Sequence, residues 1–209
     1  MELKIEHVSK TIRGKVILSD VNLQLESGHI YGFVGRNGSG KTMLFRAVSG
    51  LMKVSEGKIL VDGKELNKDM PVLPSVGLIL ENAGLYPELT GYKNLKYLAG
   101  LKGIIGDEEI RDAIKRVGLD PDDKRTYRKY SLGMKQRLAI AQAIMEKPEV
   151  LLLDEPTNGL DESGVELIRK VILEEKERGA LILLASHSRE DIEQLTDVVY
   201  SVKDGKVSP

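Results

Sequence analysis

The chain has 209 residues, 41% hydrophobic and 30% charged, with a formal net charge of −1 and no cysteine. That length supports one domain, or a domain with a lobe, around a sizeable core. The balanced charge argues against a nucleic-acid binder held by bulk electrostatics, and the missing cysteines exclude a disulfide framework.

The N-terminal stretch MELKIEHVSK lacks the apolar centre of a secretory signal. LKIEHVSK and VILSDVNLQLE alternate apolar and polar residues, with Val21, Leu23 and Leu25 on one face of a strand. IYGFVG then runs into a glycine-rich loop and a helix from about Lys41 to Ser49. KILVDGKEL reads as a hairpin arm and VGLIL as a buried strand. From about Asn82 to Lys147 the pattern turns helical and polar, through TGYKNLKYLAGL, DEEIRDAIKRVG and a helix capped by Ser131. After Pro148, VLLLDE and ALILLAS are buried strands, each followed by a helix, and Ser188 and Asp191 are spaced as a capping box. VVYSVKDGKV closes as a hairpin with a DG turn. The apolar runs VLLL (150–153) and ALILLA (180–185) are far too short to span a bilayer. The expectation is a soluble α/β protein with helices on the faces of its sheet, whose middle segment is a helical insertion. Any membrane role would come through a partner.

GRNGSGKT, residues 35–42, matches the phosphate-loop pattern G-x-x-x-x-G-K-[ST] between a predicted strand and a predicted helix. Its glycines let successive N–H groups converge on a phosphate. Lys41 adds a point charge near the β- and γ-phosphates, and the helix N-terminus adds its dipole. The Thr42 hydroxyl would ligate Mg²⁺. The predicted nucleotide-binding residues are therefore Gly35, Arg36, Asn37, Gly38, Ser39, Gly40, Lys41, Thr42 and the adjoining Met43. VLLLDEP supplies a partner: Asp154, at the carboxyl end of its strand, would hold the Mg²⁺, and Glu155 would take a proton from the attacking water.

The helix opening at YSLGMKQR, residues 130–137, is unusual. A helix start carries partial positive charge and normally attracts acids, yet its first turns hold Lys135 and Arg137 and no acid. Gly133 weakens it further, by about 1 kcal/mol relative to alanine. The expectation is that an anion from elsewhere completes it.

GRNGSGKT, YSLGMKQR, VLLLDEPTNGLD and LLASHS occur in an order that resembles an ATP-binding-cassette (ABC) ATPase over essentially the whole chain. VGLILENAGLYPELTGYKNL is similar to the bacterial branch that exports bacitracin or protects producers from lantibiotics. The resemblance implies a P-loop NTPase fold, a RecA-like core with an antiparallel β-subdomain and an inserted helical subdomain. The core would comprise residues 1–81 and 148–209, and the signature-bearing insertion 82–147. It implies an ATPase that powers a membrane transporter, an exporter by the branch resemblance. The chain would sit in the cytoplasm, peripheral on the inner face of the membrane, with a transmembrane permease subunit as partner. A second ATPase subunit would join it as an ATP-dependent homodimer. Ser131 and Gly133 would donate to the γ-phosphate bound by that second subunit, supplying the missing anion. Gly159 and Asp161 match a loop that crosses between subunits, and His187 matches a switch histidine on the γ-phosphate. The loop around Leu85, Tyr86 and Pro87 would receive the permease. A regulatory ABC ATPase not engaged in transport is the alternative.

Three features depart from the family pattern. Leu132 replaces a signature glycine and Met134 a glutamine, which stiffens the turn while keeping Ser131 and Gly133. Glu81 stands where the family has glutamine and is expected to ligate Mg²⁺. No aromatic lies near the expected adenine position, so Ile12 or Arg13 would contact the base, with weak selection of ATP over GTP.

Overall fold

The computed structural model describes residues 1–80 and 84–209. Strands β1 (Glu2–Ile12) and β2 (Lys15–Glu26) pair antiparallel around a turn at Arg13–Gly14. Their inward residues, including Leu3, Ile5, Val21 and Leu25, are buried as the alternation predicts. β4 (Glu56–Val61) and β5 (Lys64–Glu65) complete this sheet in the order β2-β1-β4-β5.

The second sheet carries β3 (Ile30–Val34), β6 (Val76–Ile79), β7 (Val150–Asp154), β8 (Leu181–Ala185), β9 (Val198–Lys203) and β10 (Lys206–Ser208). Its order is β10-β9-β3-β8-β7-β6, parallel except for the β9–β10 hairpin. Alternate residues feed two cores. Ile182, Leu184, Leu151 and Leu153 face one side, while Leu181, Leu183, Val150 and Leu152 face the other. Burying each such leucine contributes about 1.5–3 kcal/mol. On the second side the sheet meets α1 (Lys41–Val48) and the antiparallel sheet.

Between β6 and β7 the chain forms α2 (Gly91–Lys102), α3 (Asp107–Arg116) and α4 (Leu132–Ile144). The C-terminal half of α4 lies against the sheet: a Cβ on Gly77 of β6 would stand 2.0 Å from the Ala143 carbonyl oxygen. Leu138, Ala141 and Met145 form its buried stripe, as their spacing predicts. α5 (Glu162–Glu177) and α6 (Arg189–Leu195) follow β7 and β8. Among the described residues, no helix is long and apolar enough to cross a membrane.

Two local expectations change. Leu85 is buried, so of these three residues Tyr86 and Pro87 face outward. Buried Asn94 pins the loop, accepting from Tyr86 N at 2.7 Å and donating to Tyr86 O at 3.0 Å. Ser188 caps α6 by accepting from Asp191 N at 3.3 Å, but the Asp191 carboxylate does not return the bond as a capping box would. It turns into the interior, where Thr157, Arg169 and Ser186 donate to it.

Candidate active site

The site forms where three parallel strands end side by side. β8 lies between β3 and β7, and Ala185 is in register with both Phe33 and Asp154. The chain leaves β3 into residues 35–40, leaves β7 at Asp154–Glu155 and leaves β8 at Ser186–His187. Three segments distant in sequence thus meet at one carboxyl edge, the usual ligand edge of an α/β sheet.

An open cleft of about 810 Å³ is lined by Asn37, Gly38, Ser39, Gly40, Lys41, Thr42 and Met43, with Asp154, Glu155 and His187 across from them. Gly40 stands at φ 118°, just before the first turn of α1, a conformation that disfavours side chains. A Cβ on Gly35 would lie 2.2 Å from the Val202 carbonyl oxygen, so only glycine lets the loop run this close to β9. Lys41, only 6% exposed, donates from Nζ to the Gly35 carbonyl at 2.7 Å. Arg36 supplies a second, longer acceptor at 3.4 Å through its carbonyl. Thr42 Oγ1 donates to Asp154 Oδ2 at 2.5 Å. This pairs a hydroxyl and a carboxylate, the hard oxygen donors that suit Mg²⁺, at the mouth of the phosphate loop.

Glu155 has φ 52°, a left-handed conformation costing about 1–3 kcal/mol outside glycine. Its backbone is fixed on two sides. Glu155 N donates to Ala185 O at 2.8 Å, and Gln136 Nε2 of α4 donates to Glu155 O at 3.1 Å and Pro156 O at 2.9 Å. Burial pushes the Glu155 carboxyl above the ordinary glutamate range, against the opposing pull of the His187 N–H and imidazole. Its Oε2 accepts from His187 N at 3.2 Å, while buried Oε1 accepts no hydrogen bond among the described residues. His187 Nε2 lies 3.5 Å from that Oε1 and 2.7 Å from Asn37 Oδ1. The phosphate loop and the histidine are thereby in direct contact.

Ser131, Gly133 and Asp161 do not line this cleft. Ser131 Oγ accepts from Met134 N as the N-cap of α4. Within the chain, Arg137 of α4 donates from Nη2 to Asp161 Oδ1 at 3.0 Å. Lys135 lies over the Tyr127 ring, 5.4 Å from its centroid. Asp161 itself caps α5, and the Gly164 N–H, foremost, holds its carboxyl below the usual aspartate range. Gly133 permits close packing, since a Cβ there would stand 3.2 Å from the Gly159 carbonyl oxygen. Leu132 presses on Gly159 and also lines the cleft.

Ile12 is not in the cleft. It lines a neighbouring hollow of about 600 Å³ with Met43, Arg46, Leu78 and Gln142, and Arg13 occupies the turn of the β1–β2 hairpin. The β2 residues that reach the cleft are Lys15 and Ile17. Their period-2 spacing shows that they share a face, but the twist of the hairpin decides which face meets the loop. Gln136, Leu132 and Asn158 also line the cleft without a sequence signal for it. Glu81, expected to ligate Mg²⁺, lies outside the described residues.

Residues 18–158 match the family described as ABC transporter. The uncharacterized ABC transporter ATP-binding protein YybJ of Bacillus subtilis is 47% identical over 205 residues, covering 98% of this chain and 94% of that protein. The lantibiotic transport ATP-binding protein SrtF of Streptococcus pyogenes is 36% identical, with coverage of 98% and 88%. Bacitracin transport ATP-binding proteins are among the other relatives. A dimeric structure of a post-hydrolysis state of the ATP-binding cassette MJ0796, bound to ADP and Pi, superposes with a TM-score of 0.90. That match covers 99% of this chain and 97% of the cassette, at 24% identity, and shows a common fold.

Proposed function

Because this chain belongs to the ABC transporter family, we propose that it hydrolyses ATP at the Gly35–Thr42 loop to power a transmembrane permease subunit, in the direction of export. One observation carries the reading. The phosphate loop, the Thr42–Asp154 oxygen pair and the Glu155–His187 pair converge on a single cleft.

In this reading the loop N–H groups cradle the phosphates, and Lys41 exchanges the Gly35 carbonyl for a phosphate oxygen. Mg²⁺, when bound, would be held by Thr42 and Asp154 and would neutralise phosphate charge. Glu155 Oε1 takes the proton of the attacking water. Burial, which raises its proton affinity, suits it to that task. His187 donates from Nε2 to the developing phosphoryl charge, exchanging Asn37 for it. Ser131, which is exposed, and Gly133 two residues on serve the nucleotide of a second copy, so that a head-to-tail pair encloses two ATP molecules. Tyr86, Pro87 and Tyr97 form the exposed contact for the permease, with the two tyrosine rings edge to face at 5.3 Å. The names of the lantibiotic and bacitracin relatives support transport of this kind. The chain then works in the cytoplasm against the membrane's inner face.

The test is hydrolysis by single variants. Lys41→Ala should lose nucleotide binding. Glu155→Gln should bind ATP with little change while turnover falls about 10²-fold or more. Turnover unchanged in Glu155→Gln would refute its role as the base.

A further inference from the structure

Asp191 is a charged side chain with no solvent exposure, and the reaction does not use it directly. Leaving such a carboxylate unpaired in the interior would cost several kcal/mol. Arg169 meets that cost, donating from Nε to Asp191 Oδ1 at 2.8 Å. The other oxygen is engaged differently. Oδ2 accepts from Thr157 Oγ1 at 2.6 Å and from Ser186 Oγ at 3.1 Å. Ser186 Oγ in turn accepts from Ser188 N at 3.0 Å.

Thr157 lies two residues after Glu155, and Ser186 immediately precedes His187. One carboxylate oxygen therefore grips both chain segments that present the reacting pair. Charge neutralisation needs only Arg169; the two hydroxyls tie the two loops to each other. The reacting pair itself is joined by a longer contact, His187 N to Glu155 Oε2 at 3.2 Å, and the Glu155 backbone is already in a strained region. Such a pair needs external bracing to keep its geometry.

We propose that Asp191 is a positioning residue for hydrolysis: through Thr157 and Ser186 it holds Glu155 and His187 in mutual register. This rests on the assignment of Glu155 and His187 as the reacting pair.

Asp191→Asn would disturb the Arg169 ion pair and both hydroxyl contacts at once, so the test removes the hydroxyls instead. Thr157→Val, Ser186→Ala, their double variant, Thr157→Ser and Glu155→Gln are prepared in the full chain. For each, kcat and KM for ATP and the thermal midpoint are measured. Thr157→Val and Ser186→Ala should each lower kcat roughly tenfold or more, with KM within about twofold and the fold intact. Thr157→Ser, which restores the hydroxyl, should recover most of the lost turnover. The double variant should fall less than the product of the two single effects, because both hydroxyls act through one oxygen. Wild-type kcat in folded Thr157→Val and Ser186→Ala, with Glu155→Gln inactive, would overturn the proposal and leave the active-site assignment standing. A loss that Thr157→Ser fails to recover would overturn it as well. Glu155→Gln turning over like wild type would instead bring down the assignment on which it rests.

Discussion

At the sheet edge, Lys41, Asp154 and His187 are placed by the ends of three neighbouring parallel strands. At the start of α4, by contrast, Ser131 and Gly133 are placed by side chains. Gln136 grips the Glu155 and Pro156 carbonyls, Leu132 presses on Gly159, and Arg137 pairs with Asp161. The first region is fixed by backbone hydrogen bonds and a closed core. The second leans on the 155–161 loop, so that Glu155 is contacted by both regions at once. α4 is thereby hydrogen-bonded directly to the strained backbone of Glu155.

This difference can be sharpened by loosening the α4 contacts one at a time. Gln136→Ala leaves the Pro156 carbonyl without its donor, while Glu155 O keeps the Asn158 N–H at 3.2 Å, a loss of about 1–3 kcal/mol. Its expected outcome is a fall in kcat of about tenfold with nucleotide affinity retained, read by steady-state hydrolysis and nucleotide titration. An equal fall in affinity would show that α4 holds the phosphate loop and not the Glu155 backbone. Arg137→Gln removes an ion pair whose aspartate is largely exposed, so urea unfolding should show a loss of no more than about 1 kcal/mol. A larger loss would mean that the α4 start is itself part of the core. The smallest effect is expected at the base. Lys15 and Ile17 offer no ring to stack on, and GTP should compete with ATP within about tenfold. A strong preference for ATP in competition would show a base contact beyond these two residues.

The same contrast explains how far the sequence could be read. The strands carried their own signals: VLLL and ALILLA are apolar because both faces of β7 and β8 are covered. The phosphate loop and Asp154 were legible because each sits at the end of such a strand, and His187 through the resemblance, two residues past β8. Contacts between side chains far apart in sequence were not. Asn37 and His187 are 150 residues apart, and no local pattern announces their hydrogen bond. The Arg137–Asp161 pair depends on how α4 docks, so no local charge pattern announces it. Asp191 had the spacing of a capping acid, but burial beside Arg169 redirected it. Nor did the alternation of β1 and β2 announce that Lys15 and Ile17 line the cleft while Ile12 lines the neighbouring hollow.

In the proposed pair of molecules the two regions would complete one another, Ser131 of each copy meeting the nucleotide on the other's phosphate loop. The most direct test is the size of Glu155→Gln in solution, by light scattering at micromolar concentration, with and without ATP–Mg²⁺. A dimer that forms only with the nucleotide is the predicted result. A monomer with ATP bound would rule out that pairing, because the signature of this chain would then not recognise the phosphate held by its own copy.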